Sequence, residues 1–235
     1  MRGFLFATYV VLSVLVLGIL WLPLLVHPRA TLWGMQAWAH TVLFGLRTIV
    51  GVRIEVRGRE HIPANGCLVA AKHQSMLDTI VPLVLMPATT FILKKELLRI
   101  PFYGWHAGRA GMIPVDRTGH TAALKSLVRT STCRIAEGRQ IVIFPEGTRK
   151  LPGDTPDYKP GVAALYRDLN APCVPLALNT GLVWPQKGWP SKPGIAVFEF
   201  LQPIAPGLSR LEFMRTLQER IETASDALLM PSQSH

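Results

Sequence analysis

Residues 67–78 read Cys67-Leu68-Val69-Ala70-Ala71-Lys72-His73-Gln74-Ser75-Met76-Leu77-Asp78, and this stretch decides the fold. Cys67–Ala71 is a short apolar run of strand length, while Met76–Met86 follows with the spacing of a helix. A strand that gives way to a helix within a dozen residues belongs to an α/β chain, and the pattern recurs on both sides of it. Val52, Ile54 and Val56 alternate with Arg53, Glu55 and Arg57, a strand with one wet face. Gly111–Val115, Ile141–Phe144, Cys173–Leu178 and Ile195–Phe200 are further strands, Pro175 marking Cys173–Leu178 as one near an edge. His120–Glu137 and Val162–Leu169 read as helices, with Gly138 as a C-cap. Ser209 and Glu212 have capping-box spacing and open a last helix with Leu211, Met214, Leu217, Ile221 and Leu228 on one face. Leu151–Gly161 and Trp184–Gly194 are loops. The expected architecture over residues 51–235 is α/β: a single domain whose mixed sheet is flanked by helices.

Before residue 51 the texture differs. No side chain is charged from Gly3 to Val26, and from Ala30 to Leu46 there is again none, apart from a neutral His40. The first run is long enough to cross a bilayer, which takes roughly 20 apolar residues. It continues past any signal-peptide core into His27-Pro28-Arg29, where Pro28 reads as a helix stop. Trp33, Trp38 and His40 in the second run suit a polar–apolar boundary. Residues 1–50 are thus expected to form an apolar membrane helical hairpin that spans twice or dips into one leaflet. A single-pass anchor with the second run on the surface is the competing arrangement.

Composition narrows the partners. With 25 basic and 15 acidic residues the formal charge is +10, yet Lys and Arg are spread along the chain rather than gathered in a stripe. That distribution, with the apolar N-terminus, fits an anionic lipid surface and not nucleic acid. Cys67, Cys133 and Cys173 form no CxxC pair, so they read as small apolar residues in a reducing compartment.

Two segments carry chemistry. His73 and Asp78 are five apart, about 140° on a regular helix and too divergent to pair there. If the strand ends at His73 and the helix starts near Ser75, Asp78 in the first turn reaches back to the ring. It then fixes one imidazole nitrogen and leaves the other free as a base. Ser75 and Asp78 also have capping-box spacing, so Asp78 has a purely structural alternative. The second segment, Phe144-Pro145-Glu146-Gly147-Thr148-Arg149, follows Ile141-Val142-Ile143. A strand ending in a Gly-containing turn with a hydroxyl and a guanidinium is a cradle for phosphate; the plain alternative is a turn with a surface Arg. Gly111-Met112-Ile113-Pro114-Val115-Asp116-Arg117 is another strand end that delivers an Arg.

In this order, with Val174-Pro175 as a fourth block, the segments resemble the glycerolipid acyltransferase family and its 1-acylglycerol-3-phosphate branch. His73 to Asp78 matches the family's HxxxxD signature and Phe144 to Arg149 its FPEGTR block. The resemblance covers roughly residues 50 to 205. It implies that 51–235 is an acyltransferase domain in which His73 is the base and Asp78 its partner. It also implies that Arg117 and Arg149 hold the acceptor phosphate, with Glu146, Gly147 and Thr148 shaping that site and Lys94 as a further candidate. The reaction it implies acylates the sn-2 hydroxyl of lysophosphatidic acid, with acyl-CoA or acyl carrier protein as donor and no cofactor or metal. The expected location is the membrane, with the catalytic domain on its cytosolic face. Rival readings are the same fold acting on another lysolipid or on glycerol-3-phosphate, and a non-catalytic lipid-binding membrane protein. Ser75 or Cys67 as a covalent nucleophile is the rival mechanism.

Overall fold

The computed structural model describes residues 1–116 and 120–230. Strands β1 (Val52–Arg57), β2 (Cys67–Ala71), β3 (Thr89–Lys94), β4 (Ile113–Val115), β5 (Gln140–Ile143), β6 (Cys173–Leu178) and β7 (Gly194–Phe200) form one sheet in the order β1-β7-β6-β2-β5-β3-β4. Among the described strands only β6 and β7 pair antiparallel, so the sheet is mixed as expected. The helices are α1 (Arg2–Leu20), α2 (Pro28–Gly45), α3 (Leu77–Leu85), α4 (Tyr103–Ala110), α5 (His120–Ala136), α6 (Gly161–Leu169) and α7 (Arg210–Ala227).

Why β2 contains no exposed residue follows from its place. Its pleat sends Val69 and Ala71 into a core shared with α1, α2, α3 and α4, and Leu68 and Ala70 into one shared with α5, α6 and α7. A strand covered by helices on both faces reads as a continuous apolar run rather than an alternation. Edge strand β1 keeps Arg53 and Arg57 exposed.

Several sequence expectations need correction. Strand β3 and helix α4 are additional elements. Tyr103–Ala110 contains two glycines and a histidine, poor helix formers, and tertiary contacts supply what propensity does not. Arg109 donates to the carbonyls of Leu25 and Val26, and Gly111 closes α4 in the left-handed region at φ 87°. Gly111 and Met112 therefore precede the strand. Pro175 sits in an interior strand: the regular β7 ladder stops at Leu176↔Phe200 and resumes only as the bridge Cys173↔Ile204. The proline's missing N–H falls in that break, while its carbonyl accepts from Leu201 N–H. On α7 the buried row is Phe213, Leu217 and Ile221, whereas Leu211 is exposed. The Ser209–Glu212 capping box forms reciprocally.

At the N-terminus the hairpin is present, but its helices differ in surroundings. α1 ends at Leu20, and Pro28 begins α2 rather than stopping the helix before it. Ala39, Val42, Leu46 and Val50 are buried in the main core, so α2 and the turn after it belong to the sheet's packing. The Trp38 indole N–H donates to Ser13 Oγ at 3.1 Å and pins α2 to α1. The outer face of α1 exposes Phe4, Val11, Leu12, Val16, Ile19 and Leu20. α1 is the one described helix long and apolar enough to cross a membrane, with a mean hydropathy of 2.5.

Candidate active site

In an open α/β sheet, side chains meet at the carboxyl ends of the parallel strands. Here β2 runs into Lys72-His73, β5 into Phe144–Arg149, β3 ends at Lys94, and β4 leads toward Asp116. Because these strands are neighbours and parallel, segments far apart in sequence emerge on one edge.

His73 leaves β2 in an irregular stretch, and α3 starts at Leu77, so Asp78 lies in its first turn. Asp78 Oδ2 lies 2.9 Å from His73 Nδ1 and accepts the backbone N–H groups of Gln74 (2.6 Å) and Ser75 (2.8 Å). Its Oδ1 accepts from Thr180 Oγ1 at 2.6 Å and Ser75 Oγ at 3.3 Å. Both sequence readings of Asp78 hold together: it ties down the helix entrance and orients the imidazole. The carboxylate is fully buried, and every bond it makes is one it accepts from a donor around it. His73 Nε2 has no hydrogen-bond partner among the described residues. The ring stacks on Phe144 with centroids 3.9 Å apart, so the second motif packs against the imidazole of the first.

The Phe144–Gly147 turn closes through Gly147 N–H to Phe144 O, with Gly147 at φ 67°, a conformation open to glycine. Lys150 N–H donates to His73 O at 2.8 Å, stitching the two motifs together. Glu146 is turned inward and buried: one oxygen accepts from Lys72 Nζ at 2.9 Å, the other from His73 N–H at 3.1 Å. Its part is therefore to hold the turn against His73. Thr148 is exposed. Arg149 directs Nη1 at the Gln186 carbonyl and Nη2 at the Met76 sulfur, which lies at the start of α3. It has no carboxylate partner among the described residues, so its charge is available to an anion.

Lys94 is exposed at the end of β3 and in register with Val115, on the strands beyond β5 from His73. Lys95 pairs with Asp116. Arg117 lies outside the described residues. The rival nucleophiles are poorly placed. Ser75 Oγ is buried and already bonded to Leu77 N–H and Asp78. Burial pushes the Cys67 thiol up to about 12 and the Cys173 thiol higher than its usual value, so both stay neutral at physiological pH.

Sequence reasoning missed Thr180, Phe144 as a stacking partner, and the ion cluster around Lys72. Thr180 follows the strand Cys173–Leu178 by two residues, so a search of all strand ends for hydroxyls would have flagged it. Lys72 Nζ bonds Glu146 and, at 2.7 Å, Glu222 of α7, whose other oxygen accepts from Tyr158 OH at 2.8 Å. Desolvation works against the Lys72 charge, but the bonds to Glu222 and Glu146 outweigh it and hold the ammonium above its usual range. No sequence signal pairs Lys72 with a residue 150 positions away.

Comparison with known proteins places the chain among relatives. A protein-family model described as Acyltransferase matches residues 53–179. A Pseudomonas aeruginosa protein named 1-acyl-sn-glycerol-3-phosphate acyltransferase is 36% identical over 160 residues, 68% of this chain and 62% of that one. The human protein named 1-acyl-sn-glycerol-3-phosphate acyltransferase alpha is 29% identical over 141 residues, 59% of this chain and 50% of its own. The chain thus spans about three fifths of the Pseudomonas relative's length and half of the human one's. The crystal structure of the 1-acyl-sn-glycerophosphate (LPA) acyltransferase of Thermotoga maritima superposes with a TM-score of 0.82 over 100% of both chains at 21% identity. At that identity the superposition speaks for the fold, including the N-terminal hairpin.

Proposed function

The chain belongs to the acyltransferase family, and from that premise we propose that it acylates the sn-2 hydroxyl of lysophosphatidic acid, giving phosphatidic acid. The donor is an acyl thioester, acyl-CoA or acyl carrier protein. The observation that carries this reading is the His73–Asp78 pair at 2.9 Å, facing a turn whose Arg149 has no acidic partner among the described residues. The acceptor hydroxyl gives its proton to His73 Nε2 as its oxygen attacks the thioester carbonyl. The tetrahedral intermediate expels thiolate, which takes the proton back from the imidazolium. Asp78 stabilises that imidazolium and fixes the tautomer. No acyl-enzyme is needed, because the thioester is already activated and the hydroxyl is held beside it. Arg149 and Arg117 neutralise the acceptor phosphate, with Gly147 and Thr148 lining the turn, Glu146 holding it from beneath, and Lys94 adding charge at the same sheet edge. The acceptor named in the relatives supports the substrate. The test is thiol release from acyl-CoA by purified protein, expected only when lysophosphatidic acid is added. Release with glycerol-3-phosphate or another lysolipid in its place would reassign the acceptor.

We further propose that α1 holds the protein in the membrane, its catalytic domain toward the cytosol where the donors are. The exposed apolar face of α1 supports this. At about 0.8 kcal/mol per buried methylene, that face outweighs a few surface arginines at ~1 kcal/mol each. High salt screens surface charge, so it is expected to leave the protein on membranes that detergent then dissolves. Extraction by salt alone would assign the binding to charge instead.

A further inference from the structure

The ion cluster beneath the site joins three distant parts of the chain. Lys72 stands at the end of β2, Glu146 in the turn after β5, and Glu222 on α7, with Tyr158 reaching Glu222 from the loop between β5 and α6. The Lys72 and Glu146 side chains are 3% and 0% exposed, and Glu222 is 18% exposed. Burying an ammonium between two carboxylates is costly unless the geometry is well satisfied. Hydrophobic residues would fill the same space at no such cost, so the cluster calls for a role beyond packing.

We propose that Glu222, acting through Lys72 and Glu146, is a positioning residue that sets the backbone of His73 and thereby aims its imidazole. The argument runs along the bonds. Tyr158 and Lys72 fix the Glu222 carboxylate. Lys72 in turn fixes Glu146 Oε1, which leaves Oε2 to hold His73 N–H at 3.1 Å. Asp78 controls the ring from one side, and this chain of bonds controls the backbone from the other. A side chain has to sit within about 0.5 Å of its productive geometry, and a displacement near 1 Å can cost on the order of 10²-fold in rate. The C-terminal helix, outside the residues matched by the family model, is thereby part of the catalytic geometry.

The proposal rests on His73 being the base, and the experiment separates the two. Steady-state kinetics with acyl-CoA and lysophosphatidic acid in mixed micelles would compare wild type with Glu222→Gln, Tyr158→Phe, Lys72→Met, Lys72→Met/Glu146→Gln and His73→Ala. Glu222→Gln is expected to lower kcat roughly 10-fold per folded molecule, with both KM values unchanged, because aim is lost and binding is not. Tyr158→Phe removes one bond at the far end, and its kcat is expected to fall about 2- to 3-fold.

Lys72→Met supplies a readout that a packing role would not move. The charged and titratable groups facing Glu146 are Lys72, Glu222 with Tyr158 behind it, and His73. Burial already drives the Glu146 carboxyl up, and Lys72 is the largest influence against it. Without that cation Glu146 takes a proton at higher pH and releases His73 N–H, so the acid limb of the kcat profile moves to higher pH. In Lys72→Met/Glu146→Gln the side chain that holds His73 N–H no longer titrates, while Glu222 and Tyr158 are common to both variants, so the acid limb is expected to return toward the wild-type position. Wild-type kcat and an unmoved limb in these variants, with His73→Ala inactive, would overturn the positioning role alone. Normal turnover in His73→Ala would overturn the assignment of the base itself. Should Lys72→Met fail to fold, Glu222→Gln and Tyr158→Phe decide the matter on kcat, since both keep side-chain size at partly exposed positions.

Discussion

His73→Ala is expected to fold normally and to lose at least about 10²-fold in kcat, the lower range for loss of a general base. Folding survives because the bonds that hold the surrounding loop do not run through the ring. Asp78 keeps the N–H groups of Gln74 and Ser75 and the Thr180 hydroxyl, and Glu146 keeps the His73 backbone N–H, which alanine retains. What goes is the proton acceptor and one face of the Phe144 stack. Asp78→Asn should lose comparable activity for a different reason. Its carboxylate accepts from five groups, and an amide nitrogen in either oxygen's place would face donors rather than acceptors. That variant should also unfold at lower temperature, whereas His73→Ala should not. Activity paired with melting curves separates the two roles, and a His73→Ala protein with near-normal turnover would end the dyad mechanism.

Arg149→Ala should raise the KM for lysophosphatidic acid about 10- to 150-fold while leaving the donor's KM nearly unchanged. Charge-assisted bonds to a phosphate are worth roughly 1.5–3 kcal/mol, and uniform binding of this kind appears in KM. The guanidinium rests on the Gln186 carbonyl and the Met76 sulfur, neither of which neutralises it. An arriving phosphate therefore breaks no ion pair to reach it. Arg149→Lys is expected to recover only part of the loss, because an ammonium cannot reproduce the two-pronged contact. A rise confined to the acyl donor's KM would move Arg149 to the donor site.

Much of this was legible in one dimension because local chemistry and tertiary demands coincide. Cys67–Ala71 and Cys173–Leu178 are strands to the residue, since runs buried on both faces carry no ambiguous polar ends. α7 starts where its capping box places it, whereas α3 begins at Leu77 after Met76, one residue beyond the start that Ser75 and Asp78 suggest. β3 escaped because Thr89-Thr90-Phe91-Ile92-Leu93-Lys94 begins and ends in polar residues and follows Pro87 closely. α4 escaped because its composition argues against a helix, and tertiary contacts hold it: Ala107 and Ala110 pack into the main core beside α2, and Arg109 bonds the α1–α2 connection.

The sequence by itself determined the α/β class, the pairing of His73 with Asp78, and the family, because each depends on residues close in the chain or on motifs read whole. Tertiary structure decided the rest. α2 reads as an equal partner of α1 in an apolar hairpin, yet the sheet and neighbouring helices cover α2 and leave the outer face of α1 bare. Glu146 and Arg149 stand three apart in one turn, and the sequence gives both a place at the phosphate. Backbone direction sends Glu146 down to Lys72 and leaves Arg149 with no carboxylate among the described residues. Lys72 carries no assigned role in the sequence beside the motif, and only the packing of α7 on the sheet gives it Glu222. A charge has no period or spacing that names its partner, so its environment exists only once the chain is folded.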